Sequence, residues 1–100
     1  MVVRFSSSAI DEVEQAARYY ESEVVGLGKV FLEKLQDGVS EVKQFPSASR
    51  IISGDFRRHL LSRFPYGIIY RIEEDSIFVA GVMHLRRKPD YWKKIGQQIA

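Results

Sequence analysis

The chain has 100 residues, no cysteine, 45% hydrophobic residues and a formal net charge of +2. That length suits one domain, and the apolar content is that of a folding chain rather than a disordered one. The lack of cysteine excludes a disulfide framework, a thiolate metal site and a cysteine nucleophile, and it suits a reducing compartment.

The small net charge hides a division: residues 1–50 carry six Lys/Arg against eight Asp/Glu, and residues 51–100 carry nine against five. A basic second half fits an anionic partner, nucleic acid or an acidic protein segment, and it fits simple solubility equally well. The opening MVVRFSSSAIDEVE lacks the long apolar core of a signal peptide. No apolar run approaches the length of a membrane span, so a cytoplasmic protein is expected.

In chain order, Val2–Phe5 is a short β-prone run. Ser8 with Asp11 then has capping-box spacing, and Asp11, Glu12 and Glu14 follow where the helix dipole favours negative charge. Ile10, Val13, Ala17, Tyr20 and Val24 recur at alternating steps of three and four, which predicts an amphipathic helix over about residues 8–24. Gly26-Leu27-Gly28 ends it. A second helix is predicted over about 28–45, with Phe31, Leu35, Val39, Val42 and Phe45 on one face and Gly38 inside, where a neighbouring element can come close. Pro46 stops that helix, and the short link makes the pair an antiparallel hairpin. Ile51-Ile52 is either a brief strand or a core plug. Strands follow at about 57–63, 67–73 and 76–84, with a corner at Phe64-Pro65 and a reversal at Glu74-Asp75. Over the first of these, Arg57, His59 and Arg63 would share one face. The tail from Pro89 carries Tyr91, Trp92, Ile95 and Ile99 on one or two turns of helix. The order β-α-α-β-β-β gives an α+β, two-layer domain, a helical hairpin packed on a mainly antiparallel sheet.

The last hairpin has basic residues at both ends. Arg57, Arg58 and Arg63 lead in; His84, Arg86, Arg87 and Lys88 lead out. An antiparallel hairpin brings entry and exit together, so these charges are expected to converge. Arg57, Arg63, Arg71, Arg86 and Arg87 are the candidate anion binders, because guanidinium forks onto phosphate or carboxylate and stays charged. The alternative is a solvated strand face. His84 suits general acid–base work, and a histidine at a strand end also serves as a structural hydrogen-bonding residue. Tyr91 and Trp92 beside positive charge can stack on bases, or pack the tail onto the domain. His59 has no evident partner. There is no phosphate-cradling glycine loop, no histidine pair at zinc spacing and no nucleophile elbow, so no metal or cofactor is implied.

The run Phe64-Pro65-Tyr66-Gly67-Ile68-Ile69-Tyr70-Arg71, followed by Val82-Met83-His84-Leu85-Arg86-Arg87-Lys88-Pro89-Asp90-Tyr91-Trp92, resembles the RelE/ParE superfamily of type II toxins. It looks closer to the ParE and plasmid-stabilisation branch. The resemblance implies a helical hairpin on one face of a curled sheet across residues 1–100, and a cognate antitoxin as partner, in a homodimer or a toxin–antitoxin hetero-oligomer. On the ParE side it implies an inhibitor of DNA gyrase that acts by binding, with Arg86, Arg87 and the tail aromatics as contact surface. On the RelE side it implies a ribosome-dependent messenger nuclease that cleaves by 2′-hydroxyl attack without a metal. His84 would then be base or acid, Arg63 and Arg86 would hold the phosphate, and Tyr91 would stack or transfer a proton. Where the RelE pattern has lysines around the second strand, this chain has Arg57 and Arg58.

Overall fold

A computed structural model describes residues 1–86. The elements run β1 (Val2–Phe5), α1 (Ser7–Glu23), α2 (Leu27–Gln44), β2 (Arg50–Ser53), β3 (Phe56–Leu60), β4 (Tyr66–Ile72) and β5 (Ser76–His84). They form an α+β fold with one five-stranded sheet in the order β1-β5-β4-β3-β2. Strands β2 to β5 are a continuous antiparallel meander. β1 pairs parallel with β5, so the helical hairpin is the crossover that carries the chain from one sheet edge to the other. The sheet is mainly antiparallel, as expected. It has one strand more than the order β-α-α-β-β-β, because the Ile51-Ile52 segment forms a strand, with Arg50, Ile51 and Ser53 finding partners on β3.

The predicted helices are each displaced by one residue, and the cap explains the first. Ser6, not Ser8, is the N-cap of α1: its hydroxyl accepts from Ala9 N at 3.0 Å and donates to Ala80 O at 2.8 Å. A side-chain oxygen at that position satisfies one of the orphan N–H groups of the first turn. Here the same group also ties the helix start to β5. At the other end of the hairpin the Glu21 carboxylate accepts from Gly26 N at 2.9 Å and Gly28 N at 3.1 Å. One helix thus caps the next, since Gly26 has no side chain to do so.

The helices cover one face of the sheet. Phe31, Leu35 and Val42 of α2 and Ala9 and Ala16 of α1 join Ile68, Tyr70, Ile77, Val79 and Val82 in the main core. Gly38 permits the expected close approach: a methyl there would lie 2.9 Å from Leu61 Cδ2 and 3.1 Å from Ile68 Cδ1. The opposite face carries a second buried cluster of Phe56, Ile69, Phe78, Ala80 and Met83. Alternation of side chains along β4 and β5 divides the two sets, with a register shift between Ile69 and Tyr70.

β3 ends at Leu60, short of the predicted 63. Leu61 and Phe64 turn into the core, and Arg63 takes φ 72°, the left-handed region that non-glycine residues seldom occupy. The loop is closed by Leu61 N to Tyr66 O at 2.9 Å and Tyr66 N to Phe64 O at 2.8 Å. Arg63 therefore does not share a strand face with Arg57 and His59. His59 has a partner after all: its Nε2 lies 2.9 Å from a Glu41 carboxylate oxygen.

Candidate functional site

Strand register decides which basic residues meet. Tyr66 pairs with His84, and Gly67 with both Leu60 and Met83. The β3 exit, the β3–β4 loop and the β5 exit therefore occupy one end of the sheet. Leu85 N donates to Pro65 O at 2.9 Å, joining the chain after β5 to that loop. Arg63 and Arg86 stand on these two segments, both exposed. Among the described residues neither side chain has a hydrogen-bond or ion-pair partner.

An aromatic cluster supports this end. Phe64 packs edge-on against Tyr20 at 4.8 Å and Phe31 at 5.2 Å between ring centroids. Phe31 and Tyr66 are 5.1 Å apart. Such pairs favour edge-to-face geometry, and they hold the loop that presents Arg63. Tyr20 keeps its proton to higher pH than a free phenol, first because it is buried and then through its neighbours Tyr66 and Tyr19. Tyr66 passes the cluster on to His84, whose ring lies edge-on at 5.2 Å. His84 Nδ1 accepts from Arg86 N at 3.1 Å, which assigns the neutral proton to Nε2.

The other basic candidates are placed elsewhere, so the expected gathering of five guanidinium groups does not occur. Arg57 pairs with Tyr70, a residue of the helix-side core. Its Nη1 donates to Ser47 O at 3.0 Å and Ser49 O at 2.8 Å. It holds the segment between α2 and β2, and the register puts it mid-strand, away from the loop end. Arg71 lies at the far end of the sheet, opposite Phe56 and Phe78. There it binds Glu73 at 2.9 Å and stacks on both rings, its guanidinium carbon 5.4 Å from each centroid. Arg4 shares Glu73 and covers Phe78 at 5.4 Å. The Arg71 hydrogen bond, assisted by Arg4, holds the Glu73 carboxyl below its ordinary range. The candidates Arg87, Tyr91 and Trp92, with Lys88 and the predicted tail helix, lie outside the described residues.

Sequence reasoning passed over two participants at the loop end. Glu12, read as a dipole residue, accepts the Val82 N–H at 3.1 Å. Beyond the last residue of β1, no strand among the described residues pairs with the outer edge of β5; Ser6 takes Ala80 O and Glu12 takes Val82 N. Tyr19, read only as part of the hairpin, is exposed and lines a cleft of about 220 Å³ with Glu12, Gln15, Ala16, Tyr66, Val82 and His84. The signal was available on the α1 side, since positions 12, 15, 16 and 19 share one helix face. The matching wall from β4 and β5 was not.

Among the described residues no group of three or more His, Cys, Asp or Glu could hold a metal ion, and no helix is long and apolar enough to cross a membrane.

Comparison with known proteins follows the same line. A search of curated proteins gives no match. Among solved structures, a chain of a "Chromosomal ParDE TA system from P. aeruginosa" superposes with a TM-score of 0.62 at 19% identity, covering 84% of this chain and 95% of that one; the likeness is one of fold. The sequence profile described as "ParE toxin of type II toxin-antitoxin system, parDE" matches residues 3–89. With the profile spanning the helical hairpin, the whole sheet and the basic exit of β5, the chain belongs to the ParE toxin family of type II toxin–antitoxin systems.

Proposed function

We propose that this toxin acts as a binding inhibitor of DNA gyrase and that the loop end of the sheet is its contact surface. One observation carries the reading: Arg63 is held in a left-handed backbone conformation and exposed, on a loop that Leu85 N–Pro65 O joins to the segment of Arg86, and among the described residues neither arginine has a partner. A strained, solvent-facing residue that the surrounding core over-determines points to function rather than stability. Charge at such a rim steers a partner and fixes its orientation. Arg86 and Arg87 extend this surface in the sequence.

The RelE-like alternative uses His84 with Arg63 and Arg86 as phosphate binders, and the segments that carry all three meet at this same loop end, so it stands as the second reading. Arg57 and Arg71 are committed to carbonyl and carboxylate partners away from His84. An antitoxin is the second partner, and an acidic segment is the complement to a chain whose second half is basic. Arg58 and Arg50 are register partners on β3 and β2, on the side opposite the helices, and the Arg58 stem lies over Gly67 of β4. Among the described residues neither has an ion-pair partner, so this basic strand pair is the docking surface proposed for the antitoxin.

The test is a plasmid supercoiling assay with purified gyrase, alongside a messenger-cleavage assay on translating ribosomes. Wild-type protein is expected to block supercoiling or trap cleaved DNA. Arg63→Glu/Arg86→Glu is expected to lose that effect and the growth arrest while melting like the parent. Messenger cleavage abolished by His84→Ala would replace this reading with the nuclease one. Undiminished growth arrest by the double variant would remove the loop end from the mechanism.

A further inference from the structure

We infer that the open face of the sheet, at its loop end, recognises an extended protein segment by a carboxylate and a large apolar side chain two residues apart. Arg58 takes the carboxylate, and a ledge made by Leu60 and Leu85 takes the apolar group. This rests on the antitoxin docking proposed above and deepens it, by stating the chemistry that the docking segment carries.

The ledge follows from strand register. Arg58 pairs with Ile69, which belongs to the cluster on the face opposite the helices. Alternation puts Leu60 on that face too. Leu60 pairs with Gly67, and Gly67 with Met83 of the same cluster, so the three form one cross-strand row. Leu85 follows just beyond β5, its Cδ2 3.6 Å from the point that a Gly67 Cβ would occupy. Leu60 is 52% exposed and Leu85 41%, on either side of a residue with no side chain.

Gly67 also positions Arg58. The Arg58 Cγ and Cδ lie 2.9 and 3.1 Å from that same point, so the stem crosses diagonally onto β4 and runs beside the ledge. A stem already laid in a notch has less rotamer freedom to lose when its guanidinium takes a partner.

Charge selects the partner. Every carboxylate side chain among the described residues stands on a helix, in the β2–β3 turn at Asp55, or between β4 and β5 at Glu73, Glu74 and Asp75. The helices cover the other face, and both connections lie at the far end of the sheet. Nothing acidic among the described residues therefore faces Arg58 and its register partner Arg50 at the loop end. A carboxylate supplied from outside is the complement, bound by the guanidinium fork. The leucines favour a protein over a nucleic acid, because apolar groups around an arginine suit a protein contact. The exposed aromatics that could stack on a base, Tyr19 and Phe45, belong to the helical layer instead. Arg58 and Leu60 are about 7 Å apart along the strand, a spacing that Glu-x-Leu matches in an extended chain.

The experiment follows the methyl resonances of Leu60 and Leu85 by NMR in the full-length protein, while synthetic decapeptides are added. One carries Glu-x-Leu in a Gly/Ser background; its controls carry Lys-x-Leu and Glu-x-Ser, and a thymidine tetranucleotide is the nucleic-acid arm. Glu-x-Leu is expected to shift both methyls saturably. Glu-x-Ser should bind about tenfold more weakly, the size of burying one leucine side chain, and Lys-x-Leu should not bind. Leu85→Ser, a surface change, should weaken Glu-x-Leu to a similar degree with an unchanged melting temperature. Gly67→Ala should weaken it as well, by displacing the Arg58 stem. The inference fails if no peptide shifts these methyls. It fails equally if Glu-x-Ser binds as tightly as Glu-x-Leu, or if the tetranucleotide binds more tightly than either, since charge alone would then account for binding. Growth rescue by co-expressed antitoxin separates this result from the docking reading. If Arg50→Glu/Arg58→Glu escapes neutralisation while no peptide binds, the docking surface stands and the motif is wrong. If that variant is still neutralised while Glu-x-Leu binds the parent, the motif stands and the antitoxin docks elsewhere.

Discussion

The two ends of the sheet use the same residue type in opposite ways. At the far end, Arg4 and Arg71 share Glu73 and lie over the Phe78 ring. The one carboxylate offsets part of their charge, and their stems and planes serve as apolar cover. At the loop end, Arg63 and Arg86 have neither acid nor ring among the described residues and stand outside the strands. The difference does not lie in the residue type. It is support: the far end spends its arginines on packing, whereas the loop end packs with Tyr20, Phe31, Phe64 and Tyr66 and leaves its arginines free. Arginine number alone therefore says little about where a basic protein binds.

That contrast can be broken or sharpened. The largest effect should come from removing the support at the loop end. Phe64→Ala empties a buried site touching Tyr20 and Phe31 and is expected to cost about 3–5 kcal/mol. Urea denaturation measures it, and a loss near zero would mean the loop is not anchored as described.

At the far end, Arg71→Met keeps the apolar stem but deprives Glu73 of its main partner. The expected loss is about 1–2 kcal/mol with toxicity retained. Loss of toxicity without loss of stability would erase the division between the two ends.

Arg63→Gly works in the opposite sense. Glycine adopts the left-handed conformation freely, so unfolding should become about 1 kcal/mol harder while growth arrest weakens. A variant both less stable and fully toxic would contradict the assignment of strain to function.

The smallest effect is electrostatic. Glu73 has a folded-state value depressed below 4.5, so its contribution is complete above that value and is lost as pH falls through the folded-state one. Stability of the parent should therefore fall more steeply below pH 4.5 than that of Glu73→Gln, which has no carboxyl to protonate. Parallel curves would show that the pair adds nothing.

Much of the fold was legible along the chain. The three-four spacing from Ile10 to Val24 and the stripe from Phe31 to Val42 set two helices, and β5 was read to the residue because turn residues bound a continuous apolar run. Ends were harder. Ser6 and Ser8 are equally good caps locally, and Ser6 is selected because Ala80 O lies within reach of its hydroxyl, a residue 74 positions away. β3 was read too long because Leu61 continues the apolar pattern after the strand has stopped; its burial, like that of Phe64 at the corner, belongs to the loop. The site was legible in part. His84, Arg63 and Arg86 stood out by type and position, whereas Tyr19 and Gln15 carried no mark until β5 supplied the other wall.

Sequence by itself determined the element types, the hairpin that joins entry to exit, and the family, because periodicity, turn residues and short motifs are local properties of the chain. Tertiary structure alone decided which arginines are free. Whether a guanidinium meets a carboxylate, a carbonyl or water depends on strand register and on what packs behind it, and the groups concerned lie tens of residues apart along the chain.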